Sequence, residues 1–191
     1  MGAAAWQEVR LALAGTLRFA IGDRGALACF DRTLDGFWRS FRAAVICYPL
    51  YLVLLAMRVS LADWQRSGGW RIVAVETIGF VIAWVAFPLL MLSVTRLIGR
   101  AYRFFDFMVP YNWSQVPQSA LLVLAGIESE SGILGAQAGE TIDIVAALAT
   151  LVYEWYIARV ALETTGSAAA FVVVVDLVLG VAVSHVSGSL Y

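Results

Sequence analysis

Residues 104–124 read FFDFMVPYNWSQVPQSALLVL, and the fold of the chain turns on how this stretch is taken. Its ends are apolar enough for a membrane span. Inside it fall Asp106, Asn112, Ser114, Gln115 and Gln118, with Pro110 and Pro117 bracketing most of the polar block. No water reaches the hydrocarbon core to satisfy a stray polar group, so such a segment is tolerated only where neighbouring helices or trapped water cover it. Each proline also removes a helix hydrogen bond and predicts a kink. The stretch is therefore expected either to line a cavity or to form the hydrogen-bonded centre of a helix bundle.

The rest of the chain reads as membrane protein. Hydrophobic residues make up 61% and charged residues 14% of its 191 positions. The mean hydropathy is +0.81, outside the range of ordinary soluble domains. A net charge of −1 provides no basic surface for nucleic acid, which is not expected as a partner. All 13 basic residues are arginine, the usage of a GC-rich, bacterial genome. Cys29 and Cys47 are read as small packing residues, not as a metal or disulfide pair. The apolar run at residues 11–21 is interrupted by Arg18, so insertion is expected through internal spans.

The fold expected is an all-α integral membrane protein, a five-helix transmembrane bundle preceded by amphipathic interfacial helices. The spans fall at about 43–62, 72–97, 104–127, 138–158 and 167–186, giving a membrane domain over residues 43–191. Residues 128–141, acidic and glycine-rich, are expected to form an exposed loop or re-entrant turn. Residues 1–42 carry helical stripes of Trp6, Val9, Leu13, Leu17 and Ala20, then of Phe30, Leu34, Phe37, Trp38 and Phe41. With Arg10, Arg18 and Arg39 beside them, these predict a membrane-surface element, the alternative being a cap packed on its own bundle. Asp35 and Arg39 stand four apart, as for a helical ion pair. Ten of the 13 arginines fall on one side if the N-terminus is cytoplasmic, which predicts a periplasmic C-terminus in a bacterial inner membrane.

No HExxH, CxxC, dinucleotide or phosphate-loop pattern is present, and the one histidine, His185, cannot build a metal cage. No catalytic residue, metal or cofactor is expected. The informative residues are carboxylates at span depth, where a lone charge costs at least about 2.5–3.5 kcal/mol. Asp106 is close enough to Arg103 to pair with it. Glu76 is placed near a span end, where water relieves the cost. Asp176, in FVVVVDLVLG, has no basic residue nearby, and Glu154 lies between Tyr153 and Trp155. Packed helices could bring both towards Asn112, Ser114 and Gln115. The cluster would then either bind a proton or cation, or tie the helices together through protonated and amide groups.

The block YNWSQVPQ (residues 111–118), the tryptophan-bearing VYEWYIARVAL (residues 152–162) and an alanine-rich last span together resemble the Yip family of integral membrane proteins, in its bacterial branch. The resemblance covers residues 37–184 and implies the same five-span plan. The DLYGP-type motif of the eukaryotic members is missing, so their role with small GTPases is not implied. The leading expectation is a non-enzymatic inner-membrane protein that organises or accompanies other membrane components, a Yip-like scaffold or accessory subunit. Its partners would be the lipid bilayer and a second protein or another copy of itself within the membrane. The alternative is a small transporter or channel with a polar midplane site.

Overall fold

The computed structural model describes residues 3–191, with side chains from Trp6 onward. Every regular element among the described residues is helical: α1 (Ala3–Ala20), α2 (Leu34–Ser40), α3 (Arg42–Arg58), α4 (Leu61–Ser67), α5 (Gly69–Leu97), α6 (Phe104–Ser131), α7 (Ala136–Ala161) and α8 (Gly166–Gly188). Short 3-10 turns precede α2 and α6. Four apolar stretches are long enough to cross a membrane: Leu34–Arg58, Gly69–Leu97, Ala136–Ala161 and Gly166–Gly188. The protein is thus an all-helical, multi-pass membrane protein in composition and length. Helix α6 has 28 residues, but its amides, prolines and terminal glutamates dilute its hydropathy.

That dilution matches its position. Helix α6 is the axis of the molecule, packed against α1, α2, α3 and α7 and touching α5. Residues 107–114 are all buried. The helix is continuous through Pro110 and Pro117; each ring removes a backbone donor, and the packed neighbours hold the helix together around the loss. Asp106 accepts from Arg103 (3.0 Å) and from Arg32 (2.8 Å), extending the pairing expected from spacing.

Successive long helices run antiparallel through short turns, which gives the bundle two ends. At the proximal end gather α1, α2, the starts of α3, α6 and α8, and the ends of α5 and α7, tied by Arg103–Glu163 and Arg32–Asp106. At the distal end gather α4, the starts of α5 and α7, and the ends of α3, α6 and α8, tied by Arg58–Glu76. Thr33, Ser60 and Thr165 cap α2, α4 and α8 through their hydroxyls.

Several sequence expectations shift. The first apolar span ends at Arg58, not 62, because Ser60 caps the separate helix α4. The region 128–141 is helical except for the turn at 132–135, which Gly132 closes in the left-handed conformation (φ 63°). The N-terminal segment shares one core with the bundle: Val9, Ala12, Phe19, Phe30 and Phe37 pack with Phe104, Phe107 and Ile157. The buried stripe of α1 is Val9, Ala12, Thr16 and Phe19, so Trp6 and Leu17 turn outward at 58% and 62% exposure. Phe37, expected at a membrane surface, lies 7% exposed among Phe41, Phe104 and Phe105; an aromatic cluster buries more of its ring than a surface position could. Trp38 does point outward, and Arg10 and Arg18 are exposed. Arg39 pairs with Glu8 (2.9 Å) and with Asp31 rather than with Asp35.

Candidate functional site

Helix α8 leaves α7 and arrives at α5, and a wedge opens between these helices. At its start α8 is tied to α7 by the Trp155 indole, which donates to the Gly166 carbonyl at 2.8 Å. Towards its end it closes on α5, where a β-carbon added to Gly79 would come within 2.5 Å of the Ser187 hydroxyl. Only glycine permits that approach. Between these two contacts α5, α6, α7 and α8 line a partly open cleft of about 650 Å³.

The residues that face it combine aromatic, apolar and acidic groups. Trp84, Phe87 and Pro88 come from α5, Tyr111, Asn112 and Gln115 from α6, Thr150 and Glu154 from α7, and Asp176, Gly180, Ser184 and His185 from α8. Glu154 is 9% exposed, and one of its oxygens accepts from the Gln115 amide at 3.3 Å. Asp176 stands against Glu154 and the Tyr111 hydroxyl. No arginine lines the cleft. Counting about 1.5 Å per helical residue, Glu154 lies about 10 Å and Asp176 about 15 Å from the proximal ends of their helices. His185 lies at the distal end, exposed, so the cleft runs from mid-helix towards that end.

Aromatic rings close the other direction. Phe87 stacks on Tyr111 at 4.4 Å between centroids, and Phe107 approaches both rings, at 5.4 Å from Tyr111 and 6.3 Å from Phe87. Behind them Met108, Ile157 and Ala161 are completely buried.

The five polar residues singled out in the sequence therefore separate into two groups. Gln115, Glu154 and Asp176 meet in the cleft. Asn112 borders it, but its amide donates to Ser40 of α2 at 2.8 Å, fastening the N-terminal segment to α6. Ser114 faces away and belongs to a structural chain: its hydroxyl donates to the Tyr111 carbonyl (2.7 Å) and accepts from Gln118 (3.2 Å). On a 3.6-residue helix, positions 112 and 114 point to different sides, and only the placement of the neighbours decides which side is the cleft.

A second polar cluster lies at the distal end. Glu76 has a side chain only 2% exposed and pairs with Arg58 at 3.2 Å. It also accepts from the hydroxyls of Tyr51 and, at 2.7 Å, of Tyr191. Arg58 reaches further to Ser184 (3.1 Å) at the mouth of the cleft. Sequence reading placed Glu76 near a span end in reach of water, whereas its own partners enclose it. Tyr191 is 115 residues away in sequence, so no local signal announces the contact. Among the described residues no three His, Cys, Asp or Glu side chains are grouped to hold a metal ion.

Comparison with protein-family models, curated proteins and solved structures finds no match to this chain.

Proposed function

We propose that the chain is a small transporter or channel of the bacterial inner membrane, with the cleft between α5, α6, α7 and α8 as its solute site. The observation that carries this reading is the pair Glu154 and Asp176, brought together about 10–15 Å in from the proximal ends of their helices on the wall of a cavity without an arginine. Ionisable groups at membrane depth mark ion and substrate pathways when they face a cavity. Two neighbouring carboxyls in a cavity either share a proton or hold a cation between them. The cleft runs towards the distal end, with Phe87, Tyr111 and Phe107 packed together on its proximal side.

In this reading α6 crosses the membrane as a fifth span. Its 28 residues reach about 42 Å, and its neighbours shield its polar block from lipid. The N-terminus lies on the cytoplasmic side, following the arginine count. Trp6, Leu17, Trp38 and their flanking arginines rest at that interface.

Purified protein reconstituted in liposomes tests the proposal through flux of protons and alkali cations, read with entrapped indicator dyes, and of a small organic ammonium ion, read as retained radiolabel. Wild type is expected to exceed protein-free liposomes by about tenfold, and Glu154→Gln and Asp176→Asn to fall back towards the blank. Flux equal to the blank in wild type, or unaltered in both variants, overturns it.

A second reading keeps the Yip-like role of organising or accompanying other membrane components. An apolar groove of about 670 Å³ between α1, α6 and α7 favours it, lined by Leu17, Leu121, Leu148, Val152 and Tyr156. Such a groove suits a helix of a membrane partner or of a second copy. Cross-linking from a cysteine at Leu148 in native membranes distinguishes the two, since a transporter acting alone yields no specific adduct.

A further inference from the structure

We infer that the solute of the cleft is a monovalent organic cation, an ammonium group carrying an apolar or aromatic body. This rests on the transport reading for its setting, but on separate features of the cleft for its chemistry.

Volume is the first. At about 650 Å³ the cleft lies within the size range of small-molecule sites, about 300–1,000 Å³. A water molecule occupies about 30 Å³ of liquid, so a proton or bare alkali ion would leave nearly all of the space to solvent. The apolar walls, Ala83, Leu151, Leu177, Leu179 and Val181, are poor hosts for that much water. An organic body fills them.

Charge is the second. The lining holds two carboxyl groups, no arginine, and one histidine at the distal mouth. Among the described residues no arginine lines the cleft, and those near its two ends are engaged elsewhere: Arg58 with Glu76, Arg103 with Asp106 and Glu163, and Arg159 over the Trp155 ring. Glu154, nine-tenths buried, has Gln115 as its hydrogen-bond donor, and an amide dipole does not neutralise a carboxylate. Two carboxyls without a third acidic, His or Cys ligand fall short of the oxygen-rich cage a divalent metal takes.

Aromatic walls are the third. Trp84, Phe87 and Tyr111 line the side contributed by α5 and α6, facing the acidic residues of α7 and α8. Ring faces attract cations, most strongly when water is excluded, and aromatic surfaces are the usual hosts of quaternary ammonium groups. An ammonium head between Asp176 and the rings, with its body running towards Gly180 and Val181, uses every part of the lining. Gly180 leaves this course open, since a β-carbon added there would meet nothing within 4 Å.

The test uses the full-length protein in detergent and isothermal titration calorimetry. The probes are benzyltrimethylammonium and its neutral isostere neopentylbenzene, each corrected for partition into protein-free micelles. Wild type is expected to bind the cation about tenfold or more tightly than the isostere. Glu154→Gln and Asp176→Asn should each lose about tenfold for the cation alone. Gly180→Leu keeps both carboxyls and fills the channel; it should weaken binding without lowering thermal stability, since leucine is also the better helix former. Equal affinity for the two probes, or cation binding unaltered in both carboxamide variants, overturns the inference. Ammonium binding without liposome flux of any cation removes the transport reading and leaves this one. Proton or alkali-ion flux without ammonium binding does the reverse.

Discussion

Tyr191→Phe is expected to destabilise the protein by acting on Glu76, and the size of the effect follows from what surrounds that carboxylate. Glu76 is almost fully enclosed and takes its stabilisation from three groups: Tyr51 and Arg58 on α3, and Tyr191 beyond α8. A hydrogen bond to a charged group contributes about 1.5–3 kcal/mol. Tyr191 is only partly buried, so the lower end applies, about 1.5 kcal/mol. The Tyr191 ring packs with Leu55, Val59 and Ile72, and phenylalanine keeps that packing, so the loss isolates the hydroxyl. Arg58→Gln should cost about 2 kcal/mol, because a side chain 49% exposed lies between a screened surface pair and a buried one. The decisive measurement is a double-mutant cycle by detergent-titrated unfolding, followed by circular dichroism. In a Glu76→Leu background, Tyr191→Phe should cost almost nothing, a coupling of about 1.5 kcal/mol against the roughly 0.5 kcal/mol expected of independent sites. If Tyr191→Phe costs the same in both backgrounds, Glu76 is not held by this hydroxyl. The same geometry predicts an alkaline limit. Burial, then the hydrogen bond to Glu76, push the Tyr191 phenol up from 10.0 to about 12. The stability it contributes is complete below pH 10 and is lost as pH rises through about 12, a loss that Tyr191→Phe should abolish.

At the proximal end, hydrogen bonds from Thr33, with Arg39 alongside, hold the Asp31 carboxyl below its ordinary 3.8. The stability it lends is present above that value and lost as pH falls through the depressed one. Amide protection of α2 should therefore decline in acid in wild type and stay level in Asp31→Asn, and an identical acid loss in both would refute the assignment. Glu128, in the last turns of α6, has both carboxyl oxygens buried without a hydrogen-bond partner. Glu128→Leu should raise stability by about 1–3 kcal/mol, and a lower unfolding midpoint would show that the carboxyl has an essential partner.

Much of the architecture was legible because membrane helices announce themselves by apolar length. The stretches around α5, α7 and α8 needed no tertiary information, since every backbone group in lipid must be paired within its own segment. Helix α6 was legible in a different way: its amides and prolines said that other helices must cover it. The N-terminal segment was less readable. Trp6, Val9 and Leu17 lie close together on a helical wheel, but a wheel shows only that a face is apolar and not what covers it. Docking α1 on α6 and α7 selected Val9, Ala12, Thr16 and Phe19 and left Trp6 and Leu17 outside.

The candidate site divides along the same line. That Asp176 and Glu154 needed company followed from the cost of a charge in lipid, a property of the residues themselves. Which residues supplied it depended on helix rotation and on the path of α8 from α7 to α5. Gln115 turned towards Glu154 while Ser114, one position away, bonded within α6. Asn112 was drawn to Ser40, 72 residues earlier in the chain. The Glu76 cluster also had to await the fold, because Glu76 lies within α5 and the Tyr191 donor comes 115 residues later, beyond α8. Sequence by itself thus determined that these polar groups must be enclosed, since transfer energies belong to single residues. Only the tertiary structure decided their partners, because a hydrogen bond is set within a few tenths of an ångström by how rigid helices pack, and periodicity carries no information at that scale.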